Sequence, residues 1–412
     1  MIFSVAIILI VLGVTYIHYL QGAFTAAISA ACALAATLVA FGYFENAINS
    51  MSQTGFSDYA AGMSLLVIFA ITYLVLRIGA DALVPGNIAL QLYVEKAGSI
   101  VFGVVAGLLC AGTFAIGVQM MPMGAAVYGY APYEVESERP VAVPATMLGK
   151  SRAIDTFVYN EVVPEKLANP SSLLLPADSL VLSLVKVTSG GSLSGAQSFA
   201  AIHPDLPTEA FATRIGAETS GKHVILNTAK QTNVTLTGLY TLPATITALD
   251  TEVSDLRPKK LNLTFKPSTG EQLLAVRVTF NDAAADKDAH VRFTPAAARL
   301  VIDGETYYPI GTMEGASHIG LNRIDDMIPV QLQSGFNGVD LVYALPKSAA
   351  DALAKPAAED AVRFVELKLF GRMDLSGKKV EPYPGASKTI KLARKPTSPL
   401  GLTLRPAAAP TP

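Results

Sequence analysis

Charge is scarce in this chain: Asp, Glu, Lys and Arg make up 16% of it, against 51% hydrophobic residues, where soluble proteins average about a quarter charged. Residues 1–122 hold only two basic side chains, Arg77 and Lys96, beside Glu45, Asp58, Asp81 and Glu95. The whole-chain net charge of -2 is therefore reached within that stretch, and the remainder balances to zero. With no basic block anywhere, the sequence has neither the electrostatic footprint of a nucleic-acid partner nor a polybasic patch for anionic lipid. Cysteine is nearly absent too. Cys32 and Cys110 both lie inside apolar stretches, which excludes a disulfide framework in the rest of the chain and leaves them as small packing residues.

What fills the first 122 residues is hydrocarbon. A membrane-crossing helix needs roughly 20 mainly apolar residues, and Ile2–Tyr19, Ala23–Phe44, Tyr59–Ile78 and Ser99–Met121 all qualify. Inside a bilayer every backbone polar group must be satisfied within its own segment, so these runs are predicted as helices despite their valines and isoleucines. The first is expected to stay as a span rather than act as a cleaved secretory signal, because it lacks a basic n-region and outruns an ordinary h-region. The middle of each span is free of charge, which argues against an ion pump or coupled transporter built from one copy. Ser29, Thr37 and Thr113 either hydrogen-bond between helices or line a pore in an oligomer.

Arg77 and Lys96 are the topology determinants. Both flank the connection between spans three and four, whereas the connection from Glu45 to Asp58 has no basic residue. The positive-inside rule then places the former in the cytoplasm and everything after Pro122 on the extracytoplasmic side. Ala80–Ala97, with Pro85 and Gly86 among its apolar residues, either lies along the inner interface or forms an ordinary solvated loop with a short helix. Lipid supplies no hydrophobic drive between helices, so close packing of small residues must hold the spans together. Gly103, Gly107 and Ala111 in span four, and Thr25, Ser29 and Ala33 in span two, repeat at the required interval.

Four spans, a turn ending in Gly22, an amphipathic connection before the fourth span and the run Phe102-Gly103-Val104-Val105-Ala106-Gly107 resemble the CvpA (colicin V production) family over about residues 1–122. The chain departs from the family pattern at Gln21 and Ala106, where arginines stand before the turn glycine and before the second glycine of span four. The resemblance implies a bacterial inner-membrane protein associated with envelope homeostasis and colicin V export, with no enzymatic mechanism attached.

Some proteins of that plan carry an extracytoplasmic serine protease, but no nucleophile elbow is found here. Gly191-Ser192-Leu193-Ser194-Gly195 has leucine where the nucleophile should stand; it reads as a turn after a helix over Ser179–Thr188 preceded by Asp178. Gly216–Lys222, G-A-E-T-S-G-K, matches most of a phosphate loop, yet His223 replaces the magnesium-binding hydroxyl. Its context is also inverted, with helix-like Thr208–Ile215 before and strand-like His223–Asn227 after. His203, His223, His290 and His318 lack ligand spacing, and Asp282, Asp286 and Asp288 lack the glycine of a calcium loop. Asp325 and Asp326 read as a turn. No catalytic, cofactor-binding or metal-binding residue is assigned, and no cofactor.

Beyond the spans, short alternating or β-branched runs recur at Val224–Leu226, Val234–Tyr240, Leu261–Phe265, Leu273–Asn281, Ala298–Ile302, Tyr307–Ile310, Val339–Leu345 and Val362–Phe370. Asp303-Gly304 between two of them is a strong hairpin signal. This spacing predicts an immunoglobulin-like β-sandwich, and Leu273–Asn281 followed by Arg299–Asp303 with Tyr307 and Tyr308 is similar to telokin-like sandwich domains. The expected organisation is thus an all-α four-span membrane domain over 1–122, a proline-marked linker with short helices over 123–221, a mainly β domain over 222–395, and a disordered Pro/Ala-rich tail over 396–412. The expected partners are the lipid bilayer, membrane or envelope proteins, and further copies of the chain. Three functional readings stay open: a non-enzymatic envelope protein that binds partners through its outer domain, an oligomeric channel or export component, and a membrane-anchored hydrolase with a dispersed site.

Overall fold

A computed structural model describes residues 2–51, 59–84, 91–124, 126–135, 159–164, 167–168, 171–190, 198–219, 233–243, 246–247, 250–252, 260–262, 264–265, 270–285, 289–322, 327–332, 337–355, 361–367, 371–385, 390–392 and 402–406. It divides into two compact units, Met1–Pro132 with Pro170–Glu218, and Tyr133–Asn169 with Thr219–Pro412. The stretch 123–221, expected as one linker, is thereby shared between them.

The first unit is helical. Helices α1 (Ile2–Gln21), α2 (Ala23–Met51), α3 (Ala60–Leu83) and α4 (Leu92–Gln119) are each long and apolar enough to cross a membrane. Gly22 joins the first two with φ 99°, a left-handed turn that glycine adopts without a Cβ penalty. Helix α4 packs against both α1 and α2, and α2 packs against α3. The expected element over Ala80–Ala97 is largely absorbed into its neighbours: α3 runs on to Leu83, α4 already starts at Leu92, and residues 85–90 lie outside the described residues. An Arg77–Asp81 ion pair one turn apart supports the extension of α3.

Among the described residues this unit has three further helices: α5 (Ala177–Gly190), α6 (Phe199–Ile202) and α7 (Leu206–Thr219). Helix α5 is longer than the expected Ser179–Thr188, and Asp178 sits in its first turn rather than ahead of it. His203 directly follows α6, and the helix-like stretch Thr208–Ile215 falls within α7. Ser198 caps α6 by accepting from the Ala201 N–H, and Asp205 just before α7 takes the Thr208 hydroxyl. Leu173 and Ala177 share a core with Phe3, Ile7, Val11, Ala111 and Ala115. Val181, Leu182 and Val185 share another with Phe41, Phe44, Leu65 and Ile116.

The second unit is rich in β-sheet. Among the described residues its larger sheet has eleven strands, with Val234–Thr241, Glu271–Phe280 and Gly338–Pro346 antiparallel at its heart. A four-stranded sheet comprises Glu305–Tyr307, Ala298–Ile302, Arg363–Leu367 and Gly371–Asp374. Leu239, Val276 and Leu341 from the larger sheet share one buried core with Leu300, Val365 and Leu367 from the smaller, joined by Ala349 and Leu353 of helix α8 (Lys347–Ala354). Asp303 and Gly304, with φ 48° and 91°, form the two-residue turn that aligns Ile302 with Glu305; positive φ at both positions matches the right-handed twist of the flanking strands.

Several sequence expectations are displaced. The run Tyr307–Ile310 straddles the ends of two strands, Glu305–Tyr307 and Gly311–Glu314, and Val362–Phe370 resolves into Arg363–Leu367 followed by Gly371–Asp374. Within the tail expected to be disordered, Leu402–Pro406 is a strand antiparallel to Tyr159–Pro164. Sheet pairing supplies backbone partners there that a proline-based reading of composition does not anticipate. The run Val224–Leu226 lies outside the described residues.

Candidate functional site

Of the residues singled out by spacing, Gly103, Gly107 and Ala111 lie along α4 toward α1. A Cβ at Gly103 would stand 3.1 Å from the Thr15 Cα, and one at Gly107 would stand 3.0 Å from the Val11 carbonyl oxygen, so both glycines permit backbone approach. On α2, Ser29 and Ala33 are fully buried and Thr25 is half-buried. Thr37 donates to the Ala33 carbonyl at 2.8 Å and lies 3.5 Å from the Thr113 hydroxyl of α4. Spacing did not single out Gly62, Gly112 and Gly117: a Cβ at Gly62 would strike the Gly117 carbonyl, and one at Gly112 the Ala177 carbonyl of α5. Arg77 pairs with Asp81, while Lys96 donates to the Tyr19 carbonyl at 3.2 Å and stands 4.1 Å from the centre of the Tyr19 ring.

The first polar constellation is centred on His203, between α6 and α7. Its Nε2 lies 2.8 Å from Glu45 Oε1 near the end of α2, and its Nδ1 lies 2.7 Å from Glu209 Oε2 in α7. The imidazole is buried, with ring centroids 5.7 Å from Phe44 and 5.3 Å from Phe199. A ring flanked by carboxylates on both nitrogens satisfies both only as the doubly protonated cation, donating twice. The two carboxylates stand on opposite edges and do not converge on one point. Accordingly, among the described residues no group of three or more His, Cys, Asp and Glu is placed to hold a metal ion.

The second constellation lies in the β unit, where Arg277 and Asp340 face one another across adjacent strands. Arg277 donates from Nε and Nη2 to the two carboxylate oxygens, both at 2.7 Å, the bidentate geometry that suits a guanidinium. The Tyr383 hydroxyl donates to the same carboxylate, and the Tyr240 ring centre lies 4.9 Å from the guanidinium carbon. Hydrogen bonds to Asp340 hold Arg277 above its ordinary range, and burial, followed by the bond to Asp340, raises the Tyr383 phenol. The three side chains together hold these strands in register. A similar knot joins Arg299 to Glu366, with Arg372 3.6 Å from the other Glu366 oxygen.

Arg214 in α7 differs from these. It is 1% exposed, its three guanidinium nitrogens have no hydrogen-bond acceptor among the described residues, and its guanidinium carbon lies 5.6 Å from the centre of the Phe211 ring. Burial pulls it down from the usual arginine range to about 10.

The G-A-E-T half of the phosphate-loop-like stretch is helical, within α7, and therefore does not curl around a phosphate; Ser220–Lys222 and the turn Gly191–Gly195 lie outside the described residues. So do Asp286, Asp288, Asp325 and Asp326. The Arg277–Asp340 pair had a signal that sequence reading passed over: a lone charge in each of two otherwise uncharged apolar runs, Leu273–Phe280 and Val339–Leu345, requires a partner. His203 had none, because one of its carboxylates, Glu45, comes from a helix 158 residues earlier.

No protein-family model, curated protein or solved structure matches the chain.

Proposed function

We propose that the chain is a non-enzymatic integral protein of the bacterial cytoplasmic membrane, of the CvpA type. It serves envelope homeostasis or export through partners bound by its extracytoplasmic β domain, which we read as an immunoglobulin-like sandwich. The observation that carries this is the joining of four helices long and apolar enough to cross a membrane to a β-rich unit. Its polar knots add support, since Arg277, Asp340 and Tyr383 are spent on one another and such pairing orders a scaffold rather than substrates. The asymmetry of Arg77 and Lys96 supports the external placement of the β domain.

A C-terminal epitope tests this. In intact spheroplasts an external protease is expected to remove the epitope, and crosslinking of the same cells is expected to trap the chain with other envelope proteins. Protection until lysis places the β domain in the cytoplasm and overturns the reading.

A further inference from the structure

Helix α5 belongs to the unit of the four apolar helices, and it packs deep among them. The backbone at Ala177 and the side chain of Val181 lie against Gly112 of α4 so closely that a Cβ there would collide with both. Gly112 stands about two turns, or about 10 Å, before the end of α4. Leu173 and Ala177 contact the α1 side of the bundle, and Val181, Leu182 and Val185 the α2 and α3 side, so α5 lies across a stretch of α4 that the spanning reading places inside the bilayer.

A helix at that depth must dispose of its polar groups, and α5 does. Asp178 is buried and accepts from Gln119 Nε2 at 3.0 Å and from the Ser179 N–H at 2.8 Å. Lys186 donates its ammonium to the Pro204 carbonyl. On the outward face, Ser183 donates to the Ser179 carbonyl at 2.7 Å, and Thr188 to the Leu184 carbonyl at 2.9 Å. This is the way hydroxyls are hidden in membrane helices, and Thr15 and Thr37 of the long helices do the same. Beside the hydroxyls of Ser179 and Ser183, the exposed side chains of α5 are apolar, Leu180 at 50% and Val187 at 75%, with Leu174 at 70% just ahead of the helix. That surface has the character of the outer faces of α1 and α3, where Leu9 and Leu74 are exposed.

We infer that α5 is a membrane-embedded element, a fifth helix that does not span, whose Leu174, Leu180 and Val187 face contacts acyl chains in the leaflet at the C-terminal end of α4. A patch of this kind would be an aggregation liability in water, whereas each buried methylene lowers the free energy in lipid. The inference rests on the membrane-spanning reading of the four long helices, and its test separates the two.

The chain has no tryptophan, so a single introduced indole is the only emitter of its kind. Full-length Leu180→Trp and Val187→Trp variants, with Leu74→Trp on α3 as reference, are reconstituted into vesicles containing brominated phosphatidylcholine. All three positions are exposed, so the substitutions leave the packing intact. The expected result is blue-shifted emission at positions 180 and 187, quenched by the bromolipid to the same extent as at position 74 and untouched by iodide. Quenching by iodide alone at 180 and 187, with position 74 still lipid-quenched, places α5 in water and overturns the inference. Quenching by neither also overturns it, because protein then covers the face. If position 74 itself is quenched only by iodide, the spanning reading fails and takes this inference with it.

Discussion

In the helical unit, Thr15 and Thr37 donate to carbonyls four residues back in their own helices. In the β unit, Arg277, Arg299 and Arg363 reach to carboxylates sixty or more residues away, Arg363 holding Asp303 in the hairpin turn at 3.0 Å while donating to the Ala352 carbonyl at 2.7 Å. A hydroxyl can be satisfied by the nearest helical turn, whereas a guanidinium needs an acid that only another strand supplies. The helical unit is therefore specified by shape, through glycines where backbones touch, and the β unit by charge as well, because a one-residue slip would separate Arg277 from Asp340 and turn every side chain to the wrong face.

The sharpest way to break this contrast is Asp340→Ala. It takes the Asp340 carboxylate away from Arg277 and Tyr383, and removing one partner of a largely buried pair costs about 3–5 kcal/mol. The expected outcome is a large fall in the unfolding midpoint of the β unit, followed by loss of sheet circular dichroism in detergent, with helical content retained. The paired replacement Arg277→Leu with Asp340→Leu is expected to recover most of that loss.

The His203 centre in the helical unit departs from that pattern, because it joins charged groups of separate elements, and His203→Phe tests it. Phenylalanine keeps the ring contacts with Phe44 and Phe199 but removes the imidazole bonds to Glu45 and Glu209; the loss of hydrogen bonds to charged groups costs about 2–3 kcal/mol. Protease sensitivity near α6 should rise while the β unit melts unchanged. Gly112→Ala probes shape alone. Its methyl meets the Ala177 carbonyl, backbone that cannot rotate away, and overpacking of this kind costs about 1–3 kcal/mol. The same change at Gly13, which has open space around it, should leave the melting curve where it is.

How much of this the sequence disclosed follows the same division. The long helices were legible because span length is dictated by the bilayer, and the Asp303-Gly304 turn because its dihedrals demand those residues. The ends of α3 and α4 were misjudged because polar residues there continue a helix as readily as they end it. The membrane-facing character of α5 was not legible: Asp178 and Lys186 make its sequence look soluble, and only their partners Gln119 and Pro204 show that the charges are taken up inside. His203, Glu45 and Glu209 were invisible as a group, since three separate elements bring them together.

The smallest effects separate the units by pH. Burial raises the phenols of Tyr383, Tyr343 and Tyr307 above their ordinary value near 10. Below about pH 10 these tyrosines are neutral whether folded or unfolded, so the stability linked to them is fully present; above it the unfolded chain loses its protons first, and the β unit weakens as pH rises. Arg214 has the opposite sign. Lowered to about 10, it burdens the helical unit while charged, and that burden lifts as pH climbs past 10. Tyr343 sharpens the comparison, because its hydroxyl is fully buried and has no hydrogen-bond partner among the described residues. Tyr343→Phe is expected to stabilise the β unit by about 1 kcal/mol at pH 7 by removing an unsatisfied polar group, and to make its decline above pH 10 shallower. Thermal unfolding followed from pH 8 to 11.5 checks both; an unchanged slope in the variant would show that Tyr343 ionises as easily in the fold as out of it.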